Sequence, residues 1–255
     1  MNSILLEALK YSKLDLTELY LIPSSGSSSI EQIFDISPKD FLRFAKEDLQ
    51  EDNERGFINS ISNAKRAIDC QIDEVIEKLA SDSNDFTPLV KDFLKYFEFE
   101  LDIPIKLQII HALNFAPSLI ISKSRTLRNK LEHIYQKPNI QEVKEALDVA
   151  DLFLRSVTGK LIMIWDDFEI VDGKSDTEIK FLFNLSKRNF KLVISKKNII
   201  EKTYFIGLDN LEYWGLLRLM LSIDDDVEIK ETFKILMKQI CHPIPLEKVN
   251  ICQSN

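Results

Sequence analysis

The residues best suited to chemistry lie in one ten-residue segment, Thr126 to Tyr135, which reads TLRNKLEHIY. Its guanidinium, Arg128, is always charged and can hold two phosphate oxygens at once. Its imidazole, His133, has an unperturbed pKa of ~6.5 and can transfer protons near neutral pH. The surrounding sequence is locally basic, since the stretch between Pro117 and Pro138 has a single acidic residue, Glu132, against Lys123, Arg125, Arg128, Lys130 and Lys137.

The segment is predicted to be the second half of a helix that begins at Pro117 and ends near Tyr135, because Pro138 disfavours helical geometry in the residue before it. At about 100° per residue, Arg128 and His133 lie about 140° apart around the helix. Asn129 and His133 are separated by one turn, which allows the amide to orient the imidazole. One helix therefore displays a broad polar face but not a closed site.

The Arg128-Asn129 pair followed by His133 near a helix end resembles the signature of the HEPN (higher eukaryotes and prokaryotes nucleotide-binding) superfamily. The ending His133-x-Tyr135 resembles that of its toxin subgroup. The resemblance covers about residues 55–160 and leaves the rest of the chain unexplained. It implies an up-and-down helical bundle and a homodimer in which the motifs of two protomers line one cleft, and two-fold pairing is also the commonest form of assembly.

The same resemblance implies a metal-independent endoribonuclease in which the 2′-hydroxyl of the RNA attacks the adjacent phosphorus. His133 would transfer protons, Arg128 would stabilise the negative charge of the transition state, and Asn129 would orient His133 or contact the backbone. The implied substrate contacts are stacking or hydrogen bonding by Tyr135 and attraction of RNA by Lys130, Arg125 and Lys123. Neither a metal nor a cofactor is expected.

The expected partners are RNA and a second copy of the chain, in a toxin–antitoxin or anti-phage defence setting. An antitoxin or a nucleotidyltransferase that modifies Tyr135 is a further partner that the resemblance leaves open. The alternative is a non-catalytic HEPN-like module that binds RNA, nucleotide or protein. If the motif is instead a chance match, Arg128 and Lys130 are solvated, His133 is favoured at the helix end by the helix dipole, and Tyr135 seals the end of the bundle.

Other candidate sites have simpler interpretations. The chain has six glycines and none of the common nucleotide-binding, zinc-protease or serine-hydrolase motifs. Cys241-His242 lacks the paired spacing of a structural zinc site. His111 is expected to be a hydrogen-bonded core residue, and Asp224–Asp226 a solvated turn. A second basic run, Lys187–Lys197, is either a contact for an unidentified trigger or an exposed sheet edge kept soluble by charge.

The periodicity of apolar residues predicts a mainly α protein with a smaller α+β part. Amphipathic stripes at spacings of three and four mark helices between residues 37 and 160 that form an antiparallel bundle, and the resemblance implies that this bundle is HEPN-like. After about residue 160 the period changes to two, which predicts a small antiparallel sheet of about four strands followed by two helices. The expected division is therefore an N-terminal extension with a Ser-rich connector (1–36), a bundle (37–160) and an α+β domain (161–255).

Composition limits the class of protein further. The 255 residues carry a net charge of −8, which argues against broad, sequence-independent binding of nucleic acid but not against a local basic site. The three cysteines are scattered and odd in number. No apolar run reaches the length of a spanning helix, and the N-terminus is unlike an export signal. A cytoplasmic protein that does not enter membranes is expected.

Overall fold

The computed structural model describes residues 3–24, 32–80, 88–99, 103–117, 120, 122–123, 126, 137–162 and 167–254. The chain divides into two compact units. Unit 1 consists of Met1–Ser28, Leu79–Glu100 and Met163–Asn255, and unit 2 of Ser29–Lys78 and Leu101–Ile162. The division expected from the sequence is contiguous along the chain, whereas each unit here combines separate stretches. Since about 53% of the structure is helical, the expected mixture of helices with a smaller sheet is confirmed.

Unit 1 combines helices with one six-stranded sheet. Its elements are α1 (Ile4–Ser12), β1 (Leu19–Pro23), α4 (Pro88–Leu94), β2 (Asp167–Asp172), β3 (Thr177–Asn184), β4 (Asn189–Lys196), β5 (Ile199–Gly207), α7 (Tyr213–Leu221), α8 (Asp226–Gln239) and β6 (Ile251–Gln253). The strand order is β5-β4-β3-β2-β1-β6. The strands after residue 160 that the alternating pattern predicted, including the β3–β4 hairpin, are confirmed.

The expected purely antiparallel sheet is wrong, because β1 and β6 pair in parallel, with Leu19 opposite Ile251. β1 also pairs with β2 in antiparallel fashion, which places Leu21 opposite Ile170. A parallel pair needs a long connection rather than a tight turn. These two strands lie near opposite ends of the chain, so no local turn signal reports their pairing.

The core of unit 1 lies against one face of the sheet. Side chains that alternate along the central strands are buried on that face: Phe168, Ile170, Ile179, Phe181, Phe190, Leu192 and Ile194. The rings of Phe168 and Phe181 stack with centroids 4.7 Å apart. Every residue of α7 is buried, and its Tyr213 ring lies 6.0 Å from that of Phe190. Complete burial of each such aromatic or branched side chain stabilises the unit by about 1.5–3 kcal/mol.

Unit 2 is helical in its described part. Its helices with described bounds are α2 (Pro38–Gln50), α3 (Glu54–Leu79, of which the residues to Lys78 belong to this unit), α5 (Ile105–Ala112) and α6 (Ile140–Ile162). α2 begins as the sequence predicts, because the Ser37 hydroxyl accepts from the Asp40 amide and the Asp40 carboxylate accepts from the Ser37 amide. Pro38 occupies the first turn, where a missing N–H costs nothing.

Polar contacts join these helices one to the next. Ser60 of α3 donates to the Ala45 carbonyl of α2 (2.7 Å), Lys106 of α5 pairs with Asp73 of α3 (2.6 Å), Ser156 of α6 donates to the Phe115 carbonyl just after α5 (2.8 Å), and Lys46 of α2 pairs with Asp151 of α6 (3.4 Å). α2, α3, α5 with its following turn, and α6 therefore form a closed ring of neighbours. Their apolar stripes are buried, which is the arrangement of a small helical bundle.

In the part of the chain that the structure describes, no helix is both long and apolar enough to cross a membrane.

Candidate functional site

The predicted catalytic residues Arg128, Asn129 and His133 lie outside the described residues. The predicted substrate contacts Arg125, Lys130 and Tyr135 also lie outside them. Of the predicted site residues, the structure describes Lys123, which is helical and exposed to solvent. An exposed lysine on a helix is free to attract a polyanion by long-range charge. The assignments to all seven residues remain predictions.

The described positions in the first half of the predicted helix are helical. Residues 120, 122, 123 and 126 have helical geometry. The Thr126 hydroxyl donates to the Ser122 carbonyl at 3.0 Å, which is the one-turn contact that threonine makes within helices. The Ile120 amide also donates to the Pro117 carbonyl at 3.0 Å. The helix expected to start at Pro117 is confirmed at these positions.

Residues 137–142, which follow the segment along the chain, lead into the start of α6. The Asn139 side chain accepts from the Glu142 amide, and the Glu142 carboxylate accepts from the Asn139 amide, both at 3.0 Å. This reciprocal capping box satisfies two N–H groups that a helix start leaves without partners. Lys137, just before it, pairs with Glu54 of α3 at 2.8 Å. Both of those side chains are about 70% exposed, so the pair contributes little to stability.

The described residues include other side chains that could act as nucleophiles or metal ligands. Burial, with smaller contributions from Glu74 and Asp73, raises the pKa of the Cys70 thiol to about 11, so this cysteine is protonated at neutral pH. Nδ1 of His242 accepts from the Ile244 amide at 3.2 Å. The described residues contain no group of three or more histidine, cysteine or acidic side chains that could hold a metal ion.

The second basic run occupies β4 and its two turns rather than a sheet edge. β4 lies between β3 and β5, so the interpretation of these lysines as an exposed edge is wrong. Lys197 pairs weakly with Asp176 at 3.9 Å, and Arg188 adopts a left-handed backbone (φ 48°) in the β3–β4 turn. The sequence could not identify the edge, because the hairpin signal does not tell which further strand flanks it.

Unit 1 contains an open cavity of about 530 Å³ that the sequence did not indicate. Four separate stretches line it, with polar or charged side chains at Ser3, Glu7, Lys10, Asp92, Asp209, Asn210, Glu212, Gln239 and Cys241. Two features of the sequence could have indicated this cavity: a glutamate directly before the apolar helix α7 and a glutamine at the end of α8. Neither signal connects the four stretches, which only the fold brings together.

Comparison of the chain with protein-family models, with curated proteins and with solved structures finds no match.

Proposed function

We propose that this chain is a metal-independent endoribonuclease of the HEPN type, acting as a toxin or anti-phage effector in the cytoplasm. The observation that carries the proposal is the sequence Arg128-Asn129 followed by His133-x-Tyr135, which is predicted to lie at the end of a helix that begins at Pro117. The segment lies between α5 and α6 along the chain, and those helices belong to a ring of four packed helices. A helical unit of this kind is what the resemblance to HEPN proteins implies.

In the proposed reaction the RNA supplies its own nucleophile. The 2′-oxygen forms a bond to the adjacent phosphorus, the bond from phosphorus to the 5′-oxygen breaks, and the products end in a 2′,3′-cyclic phosphate and a 5′-hydroxyl. His133 moves the proton, which contributes about 10²–10⁴-fold in comparable acid–base catalysis. Arg128 neutralises the charge that develops on the phosphate oxygens, and loss of such a contact costs about 10²–10³-fold.

The composite site is proposed to form between two copies of the chain. Arg128 and His133 lie about 140° apart around a regular helix, so one helix does not direct both side chains at one phosphate. Two helix ends related by a two-fold axis can place the arginine and histidine of both copies in one cleft. Lys123, which is helical and exposed, and the predicted contacts Arg125, Lys130 and Tyr135 would then hold the RNA.

The direct test is cleavage of single-stranded RNA by purified protein in EDTA, with the product ends analysed by mass spectrometry. We expect 2′,3′-cyclic phosphate ends, and at least a hundredfold loss of rate in both Arg128→Ala and His133→Ala. Arg155→Ala is the matched control, because Arg155 is an arginine of unit 2 that is 76% exposed and pairs with Asp151. It should retain the wild-type rate.

Two results would overturn the proposal. One is full activity in His133→Ala, and the other is cleavage that EDTA abolishes. RNA binding without any cleavage by the wild-type protein would instead favour the non-catalytic module. In a bacterial host, wild-type protein should arrest growth and degrade RNA, whereas His133→Ala should do neither at equal expression.

A further inference from the structure

β5 forms one edge of the sheet in unit 1. Among the described residues it pairs with β4 alone, so the outer side of its backbone carries N–H and C=O groups that no strand satisfies. The strand is nine residues long, and at about 3.4 Å per residue its length is roughly 30 Å. An edge of this length can add an extended peptide through main-chain hydrogen bonds.

Three large apolar side chains are exposed along β5. Ile199 and Ile200 are 69% and 67% exposed at the start of the strand, and Phe205 is 58% exposed near its end. Single apolar residues on a surface need no explanation, but a group of them on one strand edge marks a site of association. A partner strand that covered these side chains would remove their apolar area from water.

The usual protections of an edge strand are weak here. Natural edges are commonly protected by prolines, by bulges or by lysines that point outward. β5 has no proline, and its pairing with β4 has one register shift, at Glu201. Its one lysine, Lys202, turns toward α1, where its ammonium nitrogen lies 4.9 Å from the centroid of the Tyr11 ring. The edge is therefore open to a further strand.

Basic residues lie at both ends of the β4–β5 pair. Lys196–Lys197 precede β5, and Lys187–Arg188 precede Asn189, which lies opposite the last residue of β5. Residues 187–209 contain six basic residues and two acidic ones. One of the basic residues, Lys197, pairs weakly with Asp176 at 3.9 Å. Positive charge is therefore in excess along this edge, although the whole chain carries −8, and a negatively charged partner is favoured.

We propose that the outer edge of β5 binds an acidic, extended peptide segment of another protein. The main chain of the peptide bonds to the backbone of β5, its apolar centre covers Ile200 and Phe205, and its acidic ends lie near Lys187 and Lys196. A second copy of this chain is a poorer occupant, because it would bring two basic edges together. A nucleic acid would satisfy the lysines but not the backbone groups of the edge. The site involves unit 1 alone, so it is independent of the ribonuclease proposed for unit 2.

The test is fluorescence anisotropy of a labelled peptide, Asp-Glu-Val-Thr-Val-Thr-Val-Glu-Asp, titrated with the full-length protein at physiological salt. We expect saturable one-to-one binding with a Kd of about 10–100 µM, because one added strand makes a small interface. A matched peptide with proline in place of both threonines keeps the charge but cannot form a regular strand, and it should not bind. Absence of binding by the first peptide, or equal binding of the proline peptide, would overturn the proposal.

Two variants and one control locate the binding. Phe205→Ala removes an exposed ring from the edge and should weaken binding roughly 3- to 10-fold. Lys196→Glu reverses an exposed charge beside the start of β5 and should also weaken binding roughly 3- to 10-fold. Lys248→Glu makes the same change of charge at an exposed lysine just before β6, at the opposite edge of the sheet, and should leave binding unchanged.

These variants also separate strand addition from other forms of association. Equal weakening by Lys248→Glu would show diffuse attraction of an anion and would refute the site. Self-association of the wild type that Phe205→Ala abolishes, as measured by sedimentation, would identify a second copy as the occupant and would overturn the proposal. If Lys196→Glu disturbs the turn before β5, Phe205→Ala still decides, and unchanged binding in that variant would count against the edge. Ribonuclease activity of the variants is measured separately, so the two proposals fail independently.

Discussion

Substitution of two helical glycines by alanine is expected to change the stability of the protein in opposite directions. Gly159 lies in α6 and is exposed, and an added Cβ atom would meet nothing within 4 Å. Gly215 lies in α7 and is buried, and a Cβ atom there would lie 2.5 Å from both Gln239 Oε1 and Leu236 Cδ2. Neither glycine has a positive φ, so alanine is compatible with the backbone at both positions.

The magnitudes follow from these contacts. Gly159→Ala should stabilise the protein by about 0.5–1 kcal/mol, because alanine loses less backbone entropy in a helix. Gly215→Ala has the same local advantage, but two atoms of closely packed side chains must move. Overpacking of this kind costs up to about 3 kcal/mol, which leaves a net destabilisation of about 2 kcal/mol.

Urea unfolding with two optical probes tests both substitutions. Both tryptophans, Trp165 and Trp214, belong to unit 1, so their fluorescence follows the unit that contains Gly215. Circular dichroism at 222 nm follows the helices of both units. The unfolding midpoint should rise for Gly159→Ala and fall for Gly215→Ala. A lower unfolding midpoint for both variants, or a higher midpoint for both, would refute the argument that the space around the added Cβ atom decides the sign of the stability change.

Three further predictions concern single contacts. Burial raises the pKa of Asp172, but hydrogen bonds led by those from the Asp15 and Ser175 amides outweigh it and hold the pKa below its usual range. The ionised form of Asp172 therefore stabilises the fold above pH ~3.9. The difference in unfolding free energy between wild type and Asp172→Asn should shrink as the pH falls from 5 through the lowered pKa of the folded state. Urea unfolding at each pH measures this difference. Asn139→Ala breaks the capping box and should cost about 1 kcal/mol in the same assay, whereas Glu142→Gln should cost little because glutamine also serves in such a box; equal losses would contradict this. At pH 8, iodoacetamide should modify the exposed Cys241 well before Cys70, whose pKa is about 11, and mass spectrometry showing the reverse order would refute the burial argument.

Features that depend on neighbouring residues were predictable from the sequence. The Ser37-Pro38 start of α2 and the Asn139–Glu142 start of α6 involve contacts across three residues. The stripe of α3, including Ile68 and Val75, follows the helical period and is buried. The alternation along β3 and β4 likewise predicted a hairpin with one buried face. Each of these patterns involves residues that are only a few positions apart in the sequence.

The parallel pairing of β1 with β6 and the inclusion of residues 1–28 in unit 1 were not predictable in this way. Pairing between distant strands depends on many weak contacts whose sum the local sequence does not reveal. The same is true of Glu212, which sequence reasoning passed over. Its importance appears only when Ser3 and Leu5, more than 200 positions earlier, donate hydrogen bonds to its carboxylate.

The sequence by itself determined the helix starts, the amphipathic stripes, the hairpin and the Arg128–His133 motif with the chemistry that its side chains allow. The tertiary structure alone decided the strand order, the two units assembled from separate stretches, and the acidic cavity at the start of α1. The physical reason is the separation along the sequence of the residues in contact. Caps, turns and periodicity depend on contacts between residues a few positions apart. Strand pairing and cavity lining depend on which distant surfaces exclude water together.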